Sequence, residues 1–332
     1  SLDKPLISSG RQHTHSDKFQ QRGADVQNMG IKSLGKYLLE FRRYKHIGNP
    51  KCALDEALAS FKDLDQEEGA HPAVFGSELC RFDHFQMPLF RYWVDRLGYE
   101  YTYHRKLWEF VFILQSLKDQ GLLTQGTKGL GFAVGNERIP DLLASYGLTI
   151  LATDLHQEEG IASGWAESNQ LAASKEGLYF GISAREQFDN LVDFTNVDMN
   201  CIPSNLQNFD FCWSSCAFEH LGSIEAGKAF VSNSLNPLRS GGVAVHTTEF
   251  NLSSDEDTVA SGGTVLFRRR DFCDVALTLR KEGNTVLPLN FYEGTHALDQ
   301  YVDVPPYRND VHLRLSLMEY NTTSFGLVII KR

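Results

Sequence analysis

Between Gly129 and Glu249 the chain alternates short, nearly continuous apolar runs with longer stretches of helical period, and few folds tolerate that texture. A strand covered on both faces reads as an uninterrupted apolar run, and strands separated by helices make a parallel sheet with crossover connections. The runs GLGFAV (129–134), LTILAT (148–153), residues 192–197, FDFCWS (209–214) and VAVHTT (243–248) predict five such strands. Helices are expected in the intervals, notably at 139–146 and 222–238. The end of the chain differs in kind. Residues 312–319 and 324–331 flank the polar tetrad Tyr320, Asn321, Thr322 and Thr323, which predicts strand, turn and strand.

Upstream the texture changes. Residues 1–30 are polar without a steady period and read as a draped arm. From Ile31 to about Gly121 apolar residues recur at helix spacing, as at Leu34, Tyr37, Leu38 and Phe41 and again at Leu107, Phe110, Val111, Ile113 and Leu114. The expected organisation is an N-terminal arm and helical region over 1–126, a lid or the dimerisation element of a homodimer, followed by one α/β domain over 127–332. A chain of 332 residues can bury a core for both.

Composition removes several classes of function. Hydrophobic residues make up 42% of the chain and charged residues 22%, and no apolar run approaches the roughly 20 residues that cross a bilayer. No membrane partner is therefore expected. A net charge of -10 offers no broad positive field to a phosphate backbone, so no nucleic-acid partner is expected, and Arg268, Arg269 and Arg270 read as a solvated helix start. The first residues show no basic-then-apolar leader. The six cysteines, at 52, 80, 201, 212, 216 and 273, form no Cys-x-x-Cys pair. Both features favour reduced thiols in a cytoplasm over export or a zinc ribbon, with Cys212 and Cys216 as packing residues.

The chemistry-bearing residues fall at the predicted strand ends. Gly129, Gly131 and Gly135 stand in GLGFAVGNERIP, and Asp154 follows Gly135 by nineteen residues at the end of the next strand. A glycine at a strand-to-helix turn lets a cofactor approach the backbone, and a carboxylate on the neighbouring strand can accept hydrogen bonds from ribose hydroxyls. Helix N-capping is the other use for an Asp there. The placement suits a nucleotide cofactor or S-adenosylmethionine. Further along, Asp198 and Met199 end the third strand, Ser214 and Ser215 end the fourth ahead of Glu219 and His220, and Gly241-Gly242 precedes the fifth.

In this order and spacing the features resemble class I S-adenosylmethionine-dependent methyltransferases over residues 127–249, with the terminal hairpin similar to that family's last two strands. The resemblance implies an α/β fold, a Rossmann-like seven-stranded methyltransferase sheet with an N-terminal helical extension, and methyl transfer from S-adenosylmethionine to a small-molecule acceptor. It implies further that Phe132, Ala133, Val134 and Gly135 line the methionine and ribose, that Asp154 binds the ribose, that Asp198 and Met199 bracket the adenine, and that Ser214 and Ser215 border the cofactor. Residues 209–253 and 304–331 are more narrowly similar to uncharacterised bacterial methyltransferases linked with glycan assembly, which makes a saccharide hydroxyl the preferred acceptor. Two positions depart from the family pattern. Gly131 stands where an acidic residue is usual in the first strand, and Ala133, Gly135 and Glu137 stand where three loop glycines are common.

A hydroxyl acceptor needs a base. His220, His246 and Glu249 are the candidates, since all three follow the carboxyl ends of the fourth and fifth strands. The same three residues offer metal-ligand atoms, but no close pair such as His-x-x-x-His is present and no metal is expected. Capping at Glu219-His220 and core hydrogen bonding at His246 are the structural alternatives. The segment YTYHRKLWE (101–109) reads first as an amphipathic helix packed on the sheet, and second as a cover that would turn Trp108 and Glu109 toward a ligand. Asp303, Pro305, Pro306 and Tyr307 form a rigid loop that would border an acceptor pocket. Two other functions remain compatible with this pattern, an NAD(P)-dependent oxidoreductase and a noncatalytic S-adenosylmethionine-binding protein.

Overall fold

The computed structural model describes residues 75–156, 174–308 and 310–332. It opens with strand β1 (Ser77–Leu79) and two helices, α1 (Phe82–Phe85) and α2 (Pro88–Leu97). Pro88 sits in the first turn of α2, where its missing N–H costs no bond, and Gly98 ends the helix at φ +67°. Strand β2 (Tyr103–His104) runs straight into α3 (Arg105–Asp119), where His104 Nδ1 caps the helix by accepting the Lys106 N–H at 3.0 Å. Then follow β3 (Lys128–Phe132), α4 (Ile139–Ser145), β4 (Thr149–Asp154), α5 (Arg185–Leu191), β5 (Val192–Asn196), β6 (Phe209–Ser215), α6 (Ile224–Asn233) and β7 (Leu238–Asn251). The chain finishes with α7 (Arg269–Lys281), β8 (Thr285–Val286), β9 (Leu289–Asn290), α8 (Ala297–Gln300), β10 (Val302–Asp303), β11 (Val311–His312), β12 (Arg314–Leu317) and β13 (Tyr320–Ile330).

All but β2 and β11, which pair with each other, belong to one sheet of order β10-β12-β13-β7-β6-β3-β4-β5. Strands β5, β4, β3, β6 and β7 are parallel, β13 is antiparallel to β7, and β12 is antiparallel to β13. Each predicted strand is present, but the terminal turn falls at Met318 and Glu319, not at Tyr320 to Thr323: those residues open β13, where Tyr320, Asn321 and Thr322 pair with Leu317, Ser316 and Leu315. β7 starts at Leu238, ahead of its apolar run, because Leu238 pairs with Phe209 across an irregularity before Val243 pairs with Phe211. The edge of β13 away from β7 is shared by β12, β1 and β8.

Side chains alternate across the sheet and build a core on each face. Phe211, Trp213, Val243, Val245 and Val328 face α2 to α5, whereas Cys212, Ala244, Leu327 and Ile329 face α6 and α7. Helix α3 is buried at every position from Leu107 to Leu117, each large apolar side chain there contributing about 1.5–3 kcal/mol. It crosses β13 so closely that a Cβ on Gly326 would lie 2.3 Å from the Phe112 ring. This corrects the expectation of a separate lid: the described part of that region, from residue 75, gives a strand to the sheet and a helix to its core. The predicted helix around Leu34 to Phe41 lies outside the described residues. The arginine run begins α7 as expected, with Arg268 and Asp271 closing a capping box. Among the described residues, no helix is long and apolar enough to cross a membrane.

Candidate functional site

Strand order reverses between β3 and β6: β4 and β5 lie to one side of β3, and β6 and β7 to the other. Helices then leave in opposite directions, opening a crevice at the carboxyl ends of the two central strands, where ligands of open α/β sheets bind. Its two walls differ in construction.

The β3–β4 wall is made of backbone. The loop after β3 turns at Ala133 (φ +48°) and Gly135 (φ +52°), both left-handed. The Val134 N–H donates to Thr153 O at 3.1 Å, and the Gly135 N–H donates to Asp154 Oδ2 at 3.0 Å. Asp154 Oδ1 accepts the Leu155 N–H at 2.8 Å, so the carboxylate ties its own strand end to the glycine loop. Asp154 is buried, as are Phe132, Val134 and Met199. Asp198 is exposed after β5, its Oδ1 accepting the Asn200 N–H at 2.8 Å.

The structure accounts for the departure at Gly131. A Cβ there would lie 2.5 Å from the Trp213 indole, so the ring from β6 fills the space over β3 and no larger residue fits. Trp213 Nε1 donates to Glu137 Oε1 at 2.6 Å. A carboxyl absent from the strand is thus supplied from the loop. Burial pushes Glu137 up to about 8, with the indole N–H and Lys106 opposing that rise, so the group is mostly protonated at neutral pH.

The β6–β7 wall is ionic, and its cations come from α3. Arg105 pairs with Glu249 and lies 3.2 Å from Glu109 Oε1; Lys106 Nζ reaches Glu109 Oε2, Ser215 O and Ser215 Oγ, each at 3.0 Å. Glu109 also accepts from Ser215 Oγ (3.1 Å), Cys216 Sγ (3.0 Å) and Ser324 Oγ (2.5 Å). Burial alone would raise Glu109; Lys106, Arg105 and these donors hold it at about 2. The helix packs on the sheet, as the first reading of 101–109 has it: Trp108 lies in the core, its indole donating to His84 Nδ1 at 2.8 Å, and Glu109 is buried in the ionic cluster.

Of the three base candidates, the structure brings His220 and Glu249 to this wall and places His246 elsewhere. His246 and Glu249 are three residues apart on one strand and therefore point to opposite faces. His246 is fully buried between Phe218 and Phe230, with Nδ1 2.9 Å from Ser214 Oγ and Nε2 3.0 Å from Ser234 Oγ. Burial lowers it to about 3. Both ring nitrogens are engaged inside the core, which corrects the expectation that His246 faces the crevice. Ser214 shares that inner face, whereas Ser215 faces α3. His220 Nδ1 lies 2.9 Å from Gly263 O; a carbonyl only accepts, so Nδ1 is the protonated nitrogen. Burial lowers His220 to about 4, partly offset by the Gly263 bond, which leaves it neutral.

Arg105, Lys106, Glu137, Cys216 and Glu219 are members of the site that the sequence reading did not assign. The signal for two of them was a pair of cations one turn ahead of Glu109, on a helix that is apolar from Phe110 to Leu114; for Cys216 it was the position directly after Ser215.

No protein-family model matches the sequence, and no curated protein matches it. Among solved structures, the chain is similar to a putative sarcosine dimethylglycine methyltransferase from Galdieria sulphuraria at 16% identity and a TM-score of 0.36, covering 55% of this chain and 60% of that one. It is similar to the magnesium protoporphyrin IX methyltransferase of Synechocystis at 14% identity and a TM-score of 0.39, covering 75% and 94%. An S-adenosylmethionine-dependent methyltransferase from Clostridium acetobutylicum aligns at 16% identity and a TM-score of 0.38, covering 73% and 97%. What decides the fold is this chain's own strand order: taken from β3, β4, β5, β6, β7, β12 and β13 as strands one to seven, it is 3-2-1-4-5-7-6 with the last antiparallel. The fold is Rossmann-like, of the methyltransferase type. Around its seven strands this chain adds β1, β8, β9 and β10 and the helices α1 to α3.

Proposed function

We propose that the chain transfers a methyl group from S-adenosylmethionine to a small-molecule acceptor, and that the acceptor atom is a hydroxyl oxygen, a saccharide being the first class to test. The observation that carries the reading is the Asp154 carboxylate hooked onto the Gly135 N–H at the carboxyl edge beside the point where strand order reverses. An ionised carboxylate accepts about four hydrogen bonds, so holding the loop and taking ribose hydroxyls are compatible. Lys106 at Ser215 offers a positive charge to the carboxylate of an amino-acid moiety, and the Glu137 carboxyl at Trp213 offers its carbonyl oxygen as an acceptor to the ammonium across the same crevice. Met199, buried behind Asp198, gives an apolar surface for an adenine. S-adenosylmethionine supplies an electrophilic methyl on a sulfonium. What is left to the protein is alignment and removal of the hydroxyl proton.

Of the two base candidates at the crevice wall, Glu249 is engaged by Arg105, and His220, neutral and with Nδ1 fixed by Gly263, is the one we assign. The saccharide rests on the narrower sequence likeness over 209–253 and 304–331, and a cytoplasmic setting on the cysteines, which among the described residues are all free. The test is formation of S-adenosylhomocysteine on a panel of saccharides and phenols. Turnover on a saccharide that falls in His220→Ala, with cofactor affinity kept, supports the reading. Tight cofactor binding with no turnover on any acceptor would make the chain a binding protein.

A further inference from the structure

We propose that Cys216, Glu219 and Glu249 form a binding site for one divalent cation of the zinc class. Cys216 Sγ and one oxygen from each carboxylate lie within 4.8 Å of one another. Zinc holds thiolate at about 2.3 Å and carboxylate oxygen at about 2.0–2.2 Å, so side-chain shifts of about 1 Å close the set.

The carboxylates themselves point to an ion. Glu219 Oε1 and Glu249 Oε2 are buried and have no hydrogen-bond partner among the described residues, on side chains only 1% and 6% exposed. Their other oxygens are satisfied: Glu219 Oε2 accepts from Thr248 Oγ1 at 2.8 Å, and Glu249 Oε1 pairs with Arg105. Leaving buried carboxylate oxygens unpaired on two neighbouring side chains is costly, and a shared cation removes that cost. Three carboxyl groups, Glu109, Glu219 and Glu249, stand at this wall beside two cations, Arg105 and Lys106.

The neighbouring imidazole is arranged as metal-bound histidines usually are. His220 donates Nδ1–H to the Gly263 carbonyl, and Nε2, which then carries the lone pair, lies 3.7 Å from Glu219 Oε1. Sulfur with carboxylate oxygen and an imidazole selects zinc or cobalt over magnesium or calcium. Burial, with Glu109 and Glu219, keeps the Cys216 thiol protonated in the metal-free chain, its proton shared with Glu109 Oε1 at 3.0 Å. Binding exchanges that proton for the ion and releases it to the buffer. None of this depends on the methyl-transfer reading.

The test is titration of the chelator-stripped full chain with Zn²⁺ alone by calorimetry, and with Co²⁺ by absorption. The expected result is one ion per chain, with a thiolate-to-cobalt charge-transfer band and no competition from Mg²⁺. Cys216→Ser removes the band and weakens Zn²⁺ by about 100-fold, Glu219→Gln weakens it by about 10- to 100-fold, and Cys201→Ser, at an exposed thiol, changes neither. Cys216→Ala and Glu249→Gln stand in should a variant fail to fold, judged by circular dichroism without metal. The proposal is overturned if the folded wild type binds neither ion, or if the cobalt band is missing or survives in Cys216→Ser.

Discussion

The two walls of the crevice use opposite means to hold polar groups in place. On the β3–β4 side, Asp154 is secured by backbone N–H groups of its own and the next loop, and Glu137 by a single indole N–H. On the β6–β7 side, Arg105 and Lys106 from α3 hold Glu109 and Glu249 by ion pairs, and Glu219 after β6 is held by Thr248. Backbone donors are fixed by the fold and tolerate ligand exchange. A network of buried charges is stable only when complete, because removing one member leaves its partners uncompensated. The first wall is therefore suited to a cofactor that comes and goes, and the second to a rigid ionic site.

Glu109→Ala breaks this contrast most severely. It strands Arg105 and Lys106 next to Cys216, and urea unfolding should show a loss of about 3–5 kcal/mol. The pH dependence has a definite sign. Glu109 is held at about 2 in the fold, so its stabilisation is complete above the unfolded carboxylate value near ~4.3 and disappears as pH falls toward 2. His246→Ala should cost about 2–4 kcal/mol by opening a cavity and orphaning Ser214 and Ser234. Turnover per folded molecule should stay the same; a fall in turnover at unchanged stability would restore His246 to the chemistry.

Asp154→Ala sharpens the comparison from the other wall. Affinity for S-adenosylhomocysteine, read by calorimetry, should drop about 10- to 100-fold while the melting temperature moves little. Glu137→Gln acts through pH, with the opposite slope to Glu109. Burial raises Glu137 to about 8, so folding favours its protonated form and the wild type loses stability as pH rises from about 4.3 toward 8. The amide variant lacks that slope and should gain at least about 1 kcal/mol relative to wild type at pH 8, a pKa unit being worth about 1.4 kcal/mol.

The same division explains what the sequence revealed. Gly135, Asp154 and the five parallel strands were legible because each lies at the end of an apolar run, and a strand end has a fixed place in a doubly wound sheet. The second wall was only partly legible. Arg105, Cys216, Glu249 and Ser324 are far apart in sequence and meet because α3 crosses the sheet at Gly326, a packing event without a local signature. One error was avoidable: strand parity alone separates His246 from Glu249. Helical period alone did not show that the stretch from 105 to 119 belongs to the core of the α/β domain and not to the region ahead of it.

Binding of S-adenosylhomocysteine to the full chain, measured by calorimetry beside NAD⁺ and NADP⁺, tests the central claim most directly. The account predicts one molecule of S-adenosylhomocysteine per chain and no heat from either dinucleotide. Binding of a dinucleotide with no response to S-adenosylhomocysteine or S-adenosylmethionine would contradict it.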